Sequence, residues 1–178
     1  YAVQAMEGMQ VTLGQYMPDG SWVWNTTDVL AAEPTYENDV ITYELQEKAV
    51  WSNADGSTTP VSVDDFILQW KFTSGNPEHC LVGELDPETG LPATGSEGCF
   101  PASTARSEDV VDITADGQTV MVQFPEGYPY AEWHAFLGGL YYPAHIAEAQ
   151  GFDLSTPEGV ADASVYFNTT SPDWSGGP

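Results

Sequence analysis

The stretch that decides the fold is ITYELQEKAVWSNADGSTTPVSVDDFILQWKFTSG, running from Ile41 to Gly75. Its first part continues an alternation that begins at Asp39. Ile41, Tyr43 and Leu45 fall on one side, with Val40, Thr42, Glu44 and Gln46 on the other. That period of two marks a half-buried strand whose core face carries Ile41, Tyr43 and Leu45. After Trp51 the residues 52–60 are dense in Ser, Asn, Asp, Gly and Thr and close on Pro60, which predicts a loop. Ser62 to Ser74 then predicts a helix. Ser62 and Asp65 have the spacing of a capping box, with Asp in place of the stronger Glu. Asp64 and Asp65 sit where the helix dipole favours negative charge. Val63, Phe66, Ile67, Trp70 and Ser74 form one stripe, and Gly75 is placed to end the helix.

Working outward, Val11 to Tyr16 and Ser21 to Trp24 flank Pro18-Asp19-Gly20, a turn in which Pro presets φ and Asp-Gly tolerates positive φ. Residues 76–106 read as a long irregular insertion, too rich in Gly and Pro for regular structure. Val110–Thr114 and Thr119–Phe124 form a second hairpin around residues 115–118, with Val120, Val122 and Phe124 on one face. Tyr130–Leu137 and Pro143–Gln150 read as short helices, the second with Pro143 in its first turn and Gly151 at its end. A further short helix starts at Thr156-Pro157-Glu158. Strands pair through hairpins and no βαβ period recurs. The fold class is therefore α+β, a mainly antiparallel sheet with short helices, in a single domain over 1–178.

Charge and composition bound the function. Three Lys+Arg stand against 27 Asp+Glu, a formal net charge of −24. Such a chain repels phosphate backbones and anionic bilayers, which excludes nucleic-acid binding through basic contacts. With 42% hydrophobic and 12% aromatic residues it still has the apolar mass for a packed core. No apolar run approaches the ~20 residues of a membrane-spanning helix. The opening Tyr1-Ala2-Val3-Gln4 lacks the basic start of an export signal. Cys80 and Cys99 read as a disulfide closing a loop of roughly 20 residues, a bridge of oxidising compartments. Two separate thiols are the plain alternative. Zinc, with His79 and either His134 or His145 joining Cys80 and Cys99, is the other, although the close C-x-x-C pairing of structural sites is missing.

Chemistry-bearing motifs are scarce. Gly95-Ser96-Glu97-Gly98 lacks the spacing of a nucleophile elbow, and no glycine-rich phosphate loop occurs. Asp112 to Gly117 starts like a calcium loop but has Thr114 and Gln123 at ligand positions, and the flanking alternation makes it a hairpin turn. His134 and His145, beside aromatic and apolar residues, read as structural histidines. Asn25-Thr26-Thr27 and Asn168-Thr169-Thr170 match a glycosylation pattern too short to carry a function. No catalytic residue, metal site or cofactor is expected. An acidic chain with six tryptophans, Trp22, Trp24, Trp51, Trp70, Trp133 and Trp174, leaves one alternative class open: a secreted carbohydrate-binding or glycoside-hydrolysing domain.

Within the decisive stretch, Trp51-Ser52, Asp55-Gly56, Thr59-Pro60 and Asp64-Asp65-Phe66 stand in the order of a known signature. They resemble the family 5 extracellular solute-binding proteins, the oligopeptide-, dipeptide- and nickel-binding components of ATP-binding-cassette importers. Met6-Glu7-Gly8-Met9 with Asp19-Gly20, the segment to Phe124-Pro125, Tyr142-Pro143-Ala144-His145 and the final Trp174 to Pro178 are similar to further family segments in the same order. Gln46 departs, standing where the family usually has a basic residue, and Asn53-Ala54 and Ser57-Thr58 lengthen the turn.

The resemblance implies a two-lobed, class II periplasmic-binding-protein-like fold. This chain would be a partial one, the peripheral subdomain of the first lobe. It also implies a monomer, extracellular or periplasmic and lipid-anchored at full length, that closes on a peptide or other small solute and delivers it to a membrane permease. Trp51, Asp55, Gly56, Pro60, Asp64 and Asp65 would be structural. The cleft-facing candidates, Glu78 and Phe100, lie in the 76–106 insertion, and this piece alone is not expected to bind ligand. Dipeptide, longer peptide, metal chelate and sugar all stay open as cargo.

Overall fold

The computed structural model describes residues 10–83, 87–88, 98–99, 106–170 and 173–176. The first strands are short. β1 (Val11–Thr12) is followed by β2 (Gly14–Tyr16) and β3 (Trp22–Trp24), which pair antiparallel with Gly14 opposite Trp24 and Tyr16 opposite Trp22. This is the hairpin expected around Asp19-Gly20.

The central sheet is antiparallel and four-stranded. β4 (Thr35–Glu37) and β5 (Val40–Glu44) are joined by Asn38 and Asp39, both at positive φ, the mirror-image turn whose twist suits a two-residue hairpin. The later hairpin supplies β8 (Asp112–Asp116) and β9 (Thr119–Gln123), and the strand order is β4-β5-β9-β8. Ile41 lies opposite Val122, Tyr43 opposite Val120 and Ile113 opposite Val122. All five are buried, as are Leu45 and Phe124 beyond the strand ends, so the alternation in the sequence does mark the core face. The buried Tyr43 hydroxyl donates to the carbonyl of Phe136 at 3.1 Å, which satisfies its polar end.

Residues 58–60 depart from the loop reading. β6 (Val50–Ser52) and β7 (Thr58–Pro60) form a hairpin, leaving only 53–57 as the bend. The Asn53 amide donates to Ser57 Oγ and Thr59 Oγ1, both at 3.0 Å, so side chains hold the returning strand in place. β11 (Ser175–Gly176) pairs with the other edge of β6 and brings the buried Trp174 with it.

Helix α1 (Val63–Thr73) has both halves of its capping box. Ser62 Oγ accepts from the N–H of Asp64 at 3.2 Å, and the N–H of Ser62 donates to Asp65 at 2.8 Å. Its buried face differs from the expected stripe. Phe66 and Trp70 are buried, but so are Asp65, Leu68 and Gln69, while Val63 and Ile67 are only half-buried. The reason is that α1 is packed on several sides, and its polar residues serve as acceptors for neighbouring backbone. The N–H of Tyr141 reaches Gln69 Oε1 at 3.3 Å.

The helix expected over Tyr130–Leu137 is reduced to a 3₁₀ turn at Trp133–Ala135. Phe136 is already extended, Leu137 has φ 42°, and the chain passes straight into β10 (Gly139–Leu140), which pairs with β1. Helix α2 (Ala144–Ala149) falls within the expected span, with Pro143 at its N-cap rather than in its first turn and Gln150 at its C-cap. Helix α3 (Pro157–Thr169) is not short: its 13 residues make it the longest helix among those described. Thr156 caps it by accepting from the N–H of Gly159 at 3.1 Å. A Cβ at Gly159 would fall 2.1 Å from the carbonyl oxygen of Asp153, so only glycine fits there. Beyond it, Val160, Ala161, Ala163, Ser164 and Phe167 are buried. Most of these are small, which explains why no bulky stripe announced the helix.

Candidate functional site

The signature residues divide into a buried node and an exposed rim. Trp51, in the middle strand of the three-stranded sheet β11-β6-β7, is fully buried and donates from Nε1 to Asp65 Oδ2 at 3.1 Å. The same oxygen accepts the N–H of Ser62, and Asp65 Oδ1 accepts the N–H of Ala144 at 2.8 Å. One carboxylate thereby joins β6, the start of α1 and the start of α2. Burial pushes the Asp65 pKa up from the usual 3.8 to about 6, against the pull of those three donors. Around it, Asp55 accepts the N–H and Oγ of Ser57 at 2.9 and 2.6 Å, bonds that hold its carboxyl below the ordinary value. Gly56 takes positive φ in the bend, Pro60 ends β7 at the surface, and Asp64 is exposed. His145 Nε2 lies 2.9 Å from Asn53 Oδ1, tying α2 to the bend from the other side. Together these contacts tie β6, the bend, α1 and α2 to one another.

Gln46 has its own employment. Its Nε2 donates to the carbonyls of Thr26 and Leu30 at 2.8 and 2.6 Å, so a neutral amide clips the preceding loop with no ion pair.

Of the two ligand candidates, Glu78 alone is among the described residues. Glu78 is exposed on a turn where its N–H donates to Asn76 Oδ1 at 2.9 Å, and Phe100 lies outside the described residues. Cys80 and Cys99 do form the expected disulfide, with Cα atoms 6.0 Å apart. The N–H of Cys99 donates to the carbonyl of Leu81 and that of Gly83 to the carbonyl of Cys99, at 2.7 and 2.8 Å. Gly98, at φ 122°, is required by the same closeness, since a Cβ there would meet Leu81 O at 2.2 Å. The neighbouring His79 rests on Trp70, ring centroids 4.5 Å apart, with Nδ1 on Ser74 Oγ at 3.1 Å, and burial lowers its pKa. The histidine is structural here, and the sulfurs are in a bridge rather than on zinc.

A band of aromatic rings went unforeseen as a unit. Tyr16 meets Trp22 edge-on at 4.9 Å, and its hydroxyl lies 3.1 Å from His134 Nε2. Trp24 stacks on Trp133, which stacks on Tyr36, at 5.7 and 6.1 Å. The Trp-Val-Trp spacing of β3 was the available signal, because it sets Trp22 and Trp24 on one face and leaves Val23 exposed on the other. A cavity of about 370 Å³ borders this hairpin, lined by Thr12, Gln15, Trp24 and Asn25 among others. A wider open groove of about 580 Å³ is lined by Arg106, Glu108, Tyr130 and Glu132. Its guanidinium is drawn to Asp109 at 3.8 Å. Among the described residues no group of three or more His, Cys, Asp or Glu could hold a metal ion, and no helix is long and apolar enough to cross a membrane.

No family model and no curated protein matches the sequence. Among solved structures the chain is similar to the periplasmic EDTA-binding protein EppA, with a TM-score of 0.67 and 24% sequence identity. The likeness covers 98% of this chain and 27% of that one, so the chain spans about a quarter of that protein's length. Over nearly its whole length, then, this α+β chain has the fold of a segment of a periplasmic binding protein.

Proposed function

We propose that the chain belongs to the substrate-binding component of an ATP-binding-cassette importer, as the peripheral subdomain of one lobe. The observation that carries this reading is the fold likeness over 98% of the chain, within which the signature of strand, tryptophan-anchored bend and capped helix is intact. In such a protein two lobes close on a solute by a hinge and the closed form docks on a membrane permease. The disulfide supports a location outside the reducing cytosol, extracellular or periplasmic, and a lipid anchor at full length is part of the same reading.

For cargo we favour a peptide. EppA is described as an EDTA-binding protein. Here Lys48 and Arg106 face Asp28 and Asp109, and Lys71 donates to the carbonyl of Leu154, so each cationic side chain of the chain is already engaged. That suits a polycarboxylate poorly and a solute held through amide hydrogen bonds and its own amino terminus better. The 178-residue chain alone should show no peptide binding by calorimetry, since a single wall of a cleft lacks the opposing lobe. The deciding experiment is native mass spectrometry of the full-length protein purified without refolding. A co-purified peptide is the expected result. An empty protein that hydrolyses or retains glycans would replace the importer reading with the carbohydrate one.

A further inference from the structure

Charge on this molecule is one-sided to a degree its own contacts do not answer. Three cationic side chains face 27 acidic ones, and all three act locally. Lys48 Nζ lies 3.3 Å from Asp28 and Arg106 Nη1 3.8 Å from Asp109, while Lys71 Nζ donates to the Leu154 carbonyl at 2.6 Å. Three cations cannot neutralise 27 acids, so a large excess of negative charge remains whatever each cation meets. Asp19, Asp55 and Asp153 each accept the N–H and hydroxyl of a serine two residues on, and these bonds lower their pKa, so they stay ionised. Glu33, Glu37, Glu44, Glu47, Glu126 and Asp162 are exposed to solvent. Asp64 and Glu148 line one cavity in which Lys71 is the single cation.

Like charge confined to one small domain repels collectively and opposes the compact state. How strongly depends on dissolved ions, because the screening length falls from about 10 Å at 0.1 M salt to about 3 Å at 1 M.

We propose that this fold is built for concentrated salt, with dissolved cations supplying the counter-charge that lysine and arginine supply elsewhere, and that it loosens when ionic strength is low. The inference is independent of the importer reading. The test is thermal unfolding of the 178-residue chain, followed by circular dichroism in 0.1, 1 and 3 M KCl at one neutral pH. The midpoint should rise by about 10 °C or more across that range. A second protein carries Glu33→Gln, Glu37→Gln, Glu44→Gln, Glu47→Gln, Glu126→Gln and Asp162→Asn. It should melt higher than the parent at 0.1 M and respond less to salt. A flat or falling midpoint in the parent would overturn the proposal. So would an equal salt response in the two proteins, which would mark general salting-out instead of relieved repulsion.

Discussion

Helix α1 is entered through one turn of chain and left through another, and the two are secured differently. On entry, the bend at 53–57 is followed by a buried carboxylate that gathers N–H groups from Trp51, Ser62 and Ala144. On exit, the chain past Gly75 is fastened by the Cys80–Cys99 bridge and the paired backbones beside it. The first arrangement couples three separate elements through one residue, and the second closes a single loop upon itself. Removing the first should therefore disturb the whole domain, whereas removing the second should act mainly on the unfolded chain and on the loop.

The sharpest way to break that contrast is Asp65→Ala. Three donors, two of them fully buried, would lose their acceptor, a loss of roughly 3–5 kcal/mol in urea unfolding. A loss under about 1 kcal/mol would mean that the node merely decorates the helix start. Next comes the double substitution Cys80→Ser with Cys99→Ser. In the chain-entropy picture a loop of this size contributes about 3 kcal/mol. The expected signature is lowered stability with an unchanged near-ultraviolet dichroism and new protease cutting confined to residues 81–98. Cutting throughout the domain would place the bridge in the role assigned to Asp65.

Acid offers a gentler probe of the entry turn. The folded-state pKa of Asp65 is raised to about 6, so folding takes up a proton there. Its contribution to stability is full below the unfolded value near 3.8 and is lost as pH rises through about 6. Lowering the pH from 7 to 5 should thus stabilise the fold by roughly 1.3 kcal/mol, and Asp65→Asn should remove that part of the pH dependence. At high salt the contribution of exposed carboxylates is suppressed, which isolates the buried one. The smallest effect belongs to Ser62→Ala, which loses the N-cap acceptor for about 1 kcal/mol by thermal unfolding and leaves the Asp65 contacts in place.

What the sequence disclosed was whatever rests on short-range periodicity or spacing. The faces of β5 and β9, the capping box of α1, both hairpin turns and the cysteine pair were all legible. The burial of Asp65 was not, because the amide that explains it belongs to Ala144, 79 positions away. Gln69 was missed for the same reason, through Tyr141. Thr58 to Pro60 looked like loop because turn-forming residues surround them, and only pairing with Val50–Ser52 makes them strand. Of the ligand candidates, Glu78 sits on an exposed turn, and nothing local could have told whether a second lobe faces it. The aromatic band depends on β3 meeting the 3₁₀ turn more than a hundred residues later, a tertiary coincidence that period-two spacing only hints at.

That band gives the molecule a built-in optical reporter. Trp51, Trp70 and Trp174 are buried, while Trp22, Trp24 and Trp133 are partly open to water on one surface. Tryptophan emission should accordingly separate into a component that acrylamide quenches and one that it spares. Whatever comes to lie over the first hairpin in a larger assembly would announce itself as a loss of the quenchable light.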